Sequence, residues 1–536
     1  MRTLPLQYSS IPGYPRLFLE FLQAGSVSRF YSPYSGACVA LAELVERRRL
    51  EQFPREQISR ALQTWNASLN NSRLALSNAE RISKQGVLAV VTGQQAGLFG
   101  GPALSVYKAV SAVLLARKLE QDGFAAVPIF WAATEDHDFD EIRHTTFVTR
   151  EGELTELRLE KSSGLPLPAA SRPVGDQARL FQQLQQALGR SDHARTVLEW
   201  LREAYRPEVS LGEAFAHLLA RMLGHTGLVL LDASDPEIRR LSRLHYVRAI
   251  EQADEVQHLL QQRTQELVAA GFAPQVYWDV DYTLLFHVGP EGRRAIRRKG
   301  DEFVAGNKRW SSTALVDEIA AQPEQFSPSA LLRPLIQDAI IPSILYVGGP
   351  AEVAYFAQVQ ALSPVFGWAP VIEPRLSVLL LDRRAWRYME RNTLQPVDLL
   401  CPLEQLQERM VTRKLKPGVF SAWDLHGREV SGGLDAMFDL AGHIDPSVAG
   451  AVQTSRRKID YQFNKVRRKM LRVASEKDRL LKSHAAYLHN LAYPGELPQE
   501  RRINFLSFYA RFGPALLEGL FSLSPCDKHS HVVVLE

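Results

Sequence analysis

Residues 135–141 read Glu-Asp-His-Asp-Phe-Asp-Glu, a stretch that crowds carboxylates around one histidine. Asp136 and Asp138 flank His137. A triplet of this kind can hold a divalent metal, bind an amine, or supply a general base. The plainer reading is a solvated acidic loop whose aspartates cap a helix, and Asp-x-Asp alone does not specify a metal. A second cluster, VVTGQQAGLFGGP, spans residues 90–102. Thr92, Gly93, Gln94 and Gln95 follow an apolar run and precede a helical pattern. Glycines let the backbone approach a ligand closely, and a helix N-terminus favours an anion. A tight turn would use the glycines equally well; two adjacent glutamines favour a ligand. The loop lacks the Gly-Lys-Ser/Thr ending of a triphosphate-binding loop and the glycine spacing of a dinucleotide site. The third cluster is YVGGPAEVAYFAQ, residues 346–358. Gly348 and Gly349 repeat the strand–glycine–proline–helix order, Glu352 falls in the first helical turn, and Tyr355 lies on a nearby face. A βα turn with a dipole-favoured glutamate accounts for that cluster equally.

Each cluster follows a short run of β-forming apolar residues, which predicts strands at 86–92, 127–134 and 343–349, with another at 370–382 and one opening 227–237, a stretch that ends in a helix start. The amphipathic stretch 102–123 predicts a helix between the first two, with Pro102 in its first turn and Gly123 as its C-terminal cap. A βαβ unit of this length makes the strands parallel, and ligands then bind beyond their carboxyl ends. Ser234 and Glu237 have capping-box spacing ahead of a long helix running to about residue 270. The expected fold is α/β: a Rossmann-like parallel-sheet core interrupted by insertions, plus a C-terminal α-helical coiled coil. The boundaries are a helical region at 1–85, core segments at 86–148, 216–272 and 328–395, insertions at 149–215 and at 273–327 (the latter with antiparallel strands), a connecting region at 396–446, and the coiled coil with a C-terminal segment at 447–536.

That coiled coil is expected as one helix over 452–493. Ile459, Phe463, Val466, Met470, Val473, Lys477, Leu480, His484, Tyr487 and Leu491 alternate in steps of four and three, a seam of about five heptads. It would pair with the helix around 56–83 or with a second chain. Residues 456–482 carry eleven basic and three acidic side chains, most of them expected on its wet face. Across 536 residues the net charge is only +4, so a dedicated polyanion binder is not indicated. Cys38, Cys401 and Cys526 are scattered and suggest no disulfide framework. Cys526, His529 and His531 resemble a metal site only loosely, and no metal ligands are assigned. No run is long and apolar enough to span a bilayer, and no signal-peptide pattern opens the chain. A cytoplasmic location, with no membrane and no nucleic acid as partners, is the expectation.

VVTGQQAGLFGGP, FWAATEDHDFDE, YVGGPAEVAYFAQ and the closing ERRINFLSFYARFG together resemble the bacillithiol-biosynthesis cysteine-adding (BshC) family, from the N-terminus to about residue 513. The resemblance implies a Rossmann-like core with connecting-peptide insertions, a coiled coil and homodimers. It implies a ligase that joins cysteine to the amine of glucosaminyl-malate in the last step of bacillithiol synthesis, forming an amide. Its cofactor is unassigned, with ATP or another adenine nucleotide and a divalent metal both compatible. In that reading Thr92, Gly93, Gln94 and Gln95 hold an anionic partner. Asp136, His137 and Asp138 orient and deprotonate the amine, and Gly348, Gly349, Glu352 and Tyr355 complete the pocket. Two other classes are a metal-dependent sugar or nucleotide-sugar transferase using Asp136 and Asp138, and a non-enzymatic scaffold built on the coiled coil.

Overall fold

The computed structural model describes residues 1–36, 42–49, 51–160, 167–367, 370–414, 419–476 and 478–535. Fifteen strands among them are β1 (Arg2–Leu6), β2 (Leu88–Gln95), β3 (Ala126–Ala133), β4 (His144–Val148), β5 (Leu154–Arg158), β6 (Val229–Asp232), β7 (Tyr282–Gly289), β8 (Gly292–Lys299), β9 (Glu302–Ala305), β10 (Lys308–Ser311), β11 (Phe326–Pro328), β12 (Ser343–Gly348), β13 (Ile372–Pro374), β14 (Val378–Asp382) and β15 (Ser530–Leu535).

The core is a parallel sheet in the order β13-β12-β2-β3-β6. Alternate residues of β2 enter different clusters. Leu88 and Val90 pack with Ala112, Leu115 and Ile344, while Ala89 and Val91 join the main core. A strand covered on both faces needs apolar residues at every position, which is why this stretch reads as a continuous run rather than an alternation. Helix Leu104–Gln121 connects β2 to β3 and packs on both. Gly123 follows it at φ +89°, where a residue with a Cβ is strained.

Two insertions leave the sheet. β4 and β5 form an antiparallel hairpin. The second is an antiparallel sheet in the order β10-β9-β8-β7-β11. A third sheet, β1-β15-β14, joins the two ends of the chain. Its β1 was absent from the expected all-helical N-terminal region, and the expected single strand at 370–382 is divided between β13 and β14. These pairings link residues hundreds of positions apart, beyond the reach of a local pattern.

Other differences are local. β2 continues through Gln95, so the loop after it is shorter than expected. The cap of helix Pro236–Glu251 is Asp235, which accepts from the Glu237 and Ile238 N–H groups. Ser234 does not serve as that cap; its hydroxyl accepts from Thr134. The expected long helix after it is two, Pro236–Glu251 and Ala253–Ala269. Cys526 is disulfide-bonded, against the expectation of no disulfide, while Cys401 is free and buried. Spacing in sequence was no guide to proximity.

The seam helix also divides. Helix Pro446–Glu476 is followed by Arg479–Ala492, whose cap Asp478 accepts from the Leu481 N–H at 2.9 Å and from Lys414 at 2.9 Å. Lys477 lies outside the described residues. The intramolecular partner of the first half is helix Val419–Gly442, inside the expected connecting region, where the Trp423 ring packs tilted against Phe463 with centroids 4.5 Å apart. Helices Arg55–Ser68 and Arg73–Arg81, the alternative partner, pack on each other and on β6 instead.

Candidate functional site

β2, β3 and β12 run in the same direction, so their carboxyl ends open on one edge. A cavity of about 910 Å³ lies there. Gln94 and Gln95 end β2, Glu135 to Asp138 follow β3, and Gly349 and Glu352 follow β12; all line the cavity with Gly93 and Tyr355. The inserted antiparallel sheet forms the facing wall with Tyr282, Phe286 and Arg293. Thus three segments far apart in sequence converge. Two of the expected residues do not line it. Thr92 is fully buried and its hydroxyl donates to Val347 O at 2.8 Å, tying β2 to β12. Gly348 packs under Ile372, where a Cβ would stand 2.7 Å from its Cδ1.

The glycine loop differs most from its reading as an anion cradle. Residues 96–101 are buried. Gly97 N–H donates to Gln95 O, Gly100 N–H to the Tyr205 hydroxyl at 3.1 Å, Gly101 N–H to Leu98 O, and Ala103 N–H to Ile503 O. Phe99 sits at φ +52° with its carbonyl held by Asn504 Nδ2 at 2.9 Å. These amides are satisfied within the fold, so the loop is a structural knot that aims the end of β2.

The acidic stretch is organised rather than merely wet. Gln95 Nε2 donates to Asp136 Oδ2 at 2.6 Å and to Glu141 Oε2 at 2.8 Å. Asp136 Oδ1 accepts the His137 N–H at 2.7 Å and the Asp138 N–H at 3.3 Å. Burial works to raise the Asp136 pKa, but the Gln95 bond, Arg293 and these backbone donors outweigh it, and the carboxyl is held below its ordinary range. His137 is half-buried. Burial and then Arg293 lower its pKa against the pull of Asp136 and Asp138, so the neutral imidazole is favoured. Arg293 Nη1 lies 3.3 Å from His137 Nδ1, and its guanidinium stacks over Phe286 at 3.6 Å. Asp138 is exposed and accepts the Glu141 N–H as a helix cap, as the plainer sequence reading proposed.

Across the cavity a second polar group surrounds Lys108, 1% exposed, whose Nζ is 2.5 Å from Glu352 Oε2. It also donates to Gln94 Oε1 at 3.1 Å and to Gly93 O. Glu352 accepts from Tyr346 at 2.6 Å and from the Gly349 N–H at 2.8 Å, closing the turn into helix Pro350–Gln360. Burial pushes the Lys108 ammonium down to about 8 while Glu352 opposes that fall. Arg333 donates to the Tyr355 hydroxyl at 3.0 Å.

Glu135 Oε2, Arg333 Nη1 and Arg375 Nε, all on cavity-lining residues, are buried without a hydrogen-bond partner. Burial raises the Glu135 pKa against Arg239, Arg293 and Arg333. A buried acceptor and a buried cationic donor left open are costly unless a ligand meets them. They suit a ligand with both an anionic group and a hydrogen-bond donor.

Lys108, Arg293, Arg333 and Arg375 escaped the sequence reading. Their signal was present: Lys108 is the sole charge between Leu104 and Leu115, and Arg333 sits inside the apolar LLRPLI. A charge inside an apolar run is rarely fully buried without a partner.

Residues 1–376 match the family model described as the bacillithiol biosynthesis BshC N-terminal Rossmann-like domain. Residues 378–536 match that of the BshC C-terminal coiled-coil domain. The chain is similar to "Putative cysteine ligase BshC" of Koribacter versatilis (strain Ellin345), 33% identical over 524 residues, 97% of this chain and 98% of that protein. The protein of the same name from Solibacter usitatus (strain Ellin6076) is 35% identical over 462 residues, 85% and 86% of the two chains. That from Bacillus cytotoxicus is 26% identical over 493 residues, 91% of each. Matched by both models along nearly its whole length, the chain belongs to the BshC family of bacillithiol biosynthesis.

Proposed function

We propose that this protein is a ligase that joins the carboxyl of cysteine to the amine of glucosaminyl-malate, forming the amide that completes bacillithiol. Family membership supports the pathway, and the names of the relatives support the cysteine. The observation that carries the chemistry is His137, half-buried in one large cavity with its Nδ1 3.7 Å from Asp136 Oδ1, where burial and Arg293 favour the neutral imidazole. An amine attacks only as its free base, so a nearby neutral imidazole serves as proton acceptor. Asp136, fixed by Gln95, steadies the imidazolium that forms. Asp138 caps the turn that positions both. Arg333 binds a substrate carboxylate and Glu135 a donor group of the substrate, with Glu352, Tyr355 and Lys108 shaping that wall. The cysteine carboxyl must carry a leaving group before attack, and an adenine nucleotide is the simplest source. Gln95 and the Glu141 N–H already occupy Asp136 and Asp138, which weakens the metal-dependent transferase reading.

Deleting the gene and profiling cellular thiols by mass tests this. Loss of bacillithiol with accumulation of glucosaminyl-malate is expected. Unchanged bacillithiol refutes it.

We also propose a homodimer through the hairpin of Val419–Gly442 and Pro446–Glu476. Met437, Leu440, Ile444 and Val466 are exposed along it, an apolar stripe that a second copy would cover. Light scattering should give twice the chain mass, and Met437→Asp with Val466→Asp should give the single chain.

A further inference from the structure

Cys526, which with His529 and His531 only loosely resembles a metal site in sequence, is disulfide-bonded. Its neighbour Asp527 takes its place. Asp527 and His529 lie in the bend that leads into β15, and His531 is the second residue of that strand. Asp527 Oδ2 lies 3.7 Å from His531 Nε2 and 3.8 Å from His529 Nε2, and all three ligand atoms lie within 4.8 Å of one another. His531 is 3% exposed, and its buried Nε2 has no hydrogen-bond partner. A buried ring nitrogen facing a carboxylate and a second imidazole is a donor set suited to a cation.

We propose that Asp527, His529 and His531 form a binding site for a borderline divalent transition ion, zinc foremost. Two imidazoles and one carboxylate are a common zinc donor set, with bonds of about 2.0–2.2 Å. Ligand atoms around tetrahedral zinc stand roughly 3.4 Å apart, so both carboxylate–imidazole gaps need close by only about 0.3–0.4 Å. His529 is partly exposed and able to swing in, while His531 is anchored in the sheet. Solvent takes the fourth position. Asp527 lines a cavity of about 450 Å³ that gives the ion a path. The site is remote in role from the large cavity. β15 is the middle strand between β1 and β14, with its His531 opposite both Pro5 and Val378. An ion here pins the start of that strand to the preceding loop and so fastens the sheet that joins the two chain ends.

The test uses the full chain, stripped of metal with a chelator and titrated with Zn²⁺ against a chromophoric competitor, with Co²⁺ as a spectroscopic probe. One equivalent per chain and the visible absorption of tetrahedral Co²⁺ are expected. His529→Ala and Asp527→Asn, both at partly exposed side chains, should each weaken binding on the order of a hundredfold with an unchanged circular dichroism spectrum. Cys526→Ser and Asp136→Asn should bind as the parent does. Absence of stoichiometric binding overturns the proposal. So does full affinity in His529→Ala and Asp527→Asn. Loss of binding in Cys526→Ser would make sulfur the ligand, and loss in Asp136→Asn would put the ion in the large cavity; either refutes this donor set.

Discussion

Lys108 and Glu352 form an ion pair across the turn after β12, and replacing Glu352 by glutamine leaves a buried ammonium without its counter-charge. The separation is 2.5 Å, with the side chains 1% and 19% exposed. At an effective dielectric of 20 the gross attraction is about 7 kcal/mol, most of it offset by the desolvation of two charges. Removing one partner therefore costs about 3–5 kcal/mol. Replacing both, as Lys108→Met with Glu352→Gln, removes the stranded charge and should cost about 1–2 kcal/mol, well below the sum of the two single costs, and the shortfall is the coupling. Urea unfolding of the parent, both single variants and the double variant measures that coupling. The pH dependence gives a second readout. Burial holds Lys108 below its ordinary pKa in the folded chain, and without Glu352 it falls further. Between the folded and unfolded pKa values the unfolded chain binds more protons, so stability rises with pH there. The Glu352→Gln deficit should be greatest between the Glu352 titration and the variant's lowered lysine pKa, shrink as pH climbs toward about 8, and stay level above that, where both folded chains hold a neutral lysine. Additivity of the single variants within about 0.5 kcal/mol, or a deficit that grows with pH, refutes the reasoning.

Burial and Arg293 lower the His137 pKa, so the acid limb of the kcat/KM profile should lie below the ordinary imidazole value of 6.5, and Arg293→Gln should move it upward; a limb unmoved by that change removes His137 as the base. Thr92→Val should retain activity while costing about 1 kcal/mol in urea unfolding, because the hydroxyl serves Val347 O alone; loss of activity in a stable variant would return Thr92 to the site. Arg375 donates to both Glu500 oxygens, at 2.6 and 2.9 Å, with both side chains 3% exposed. Glu500→Gln should therefore cost about 3–5 kcal/mol at neutral pH. Burial acts to raise the Glu500 pKa, but Arg375 and Tyr14 outweigh it and hold it low, so the parent's advantage is present above the ordinary carboxylate range and lost as pH falls through the folded-state value. A deficit that persists undiminished in acid contradicts this.

The core strands were legible because a strand buried on both faces must be apolar throughout, and β2, β3 and β12 announce themselves that way. Their shared direction followed from the helix between β2 and β3, and a common sheet edge followed from that. The acidic stretch and Glu352 were found because they stand at the end of such runs. The chemistry of the glycine loop was misjudged for a reason that spacing cannot repair. Whether a backbone amide is free depends on what packs over it. Here Tyr205 takes the Gly100 amide and Asn504 holds the Phe99 carbonyl, from residues about 100 and 400 positions away. The same holds for β1 and β15, which join the chain ends through a register that neither strand encodes alone.

Charges inside apolar runs are the more useful lesson, because their cost makes them informative. Lys108 breaks an otherwise apolar helix face, and Arg333 and Arg375 interrupt apolar segments; the first and last are matched by Glu352 and Glu500. Arg333 keeps one buried N–H open, and Glu135 one oxygen. A structural ion pair closes its donors and acceptors, whereas a recognition site leaves some open until the ligand arrives. Arg375 gives both terminal nitrogens to Glu500 but keeps its Nε open on the cavity wall, so by that criterion it serves the scaffold and the site together. Under the proposed function, Arg333 and Glu135, which no motif singled out as a pair, are the groups that meet the substrate alongside His137.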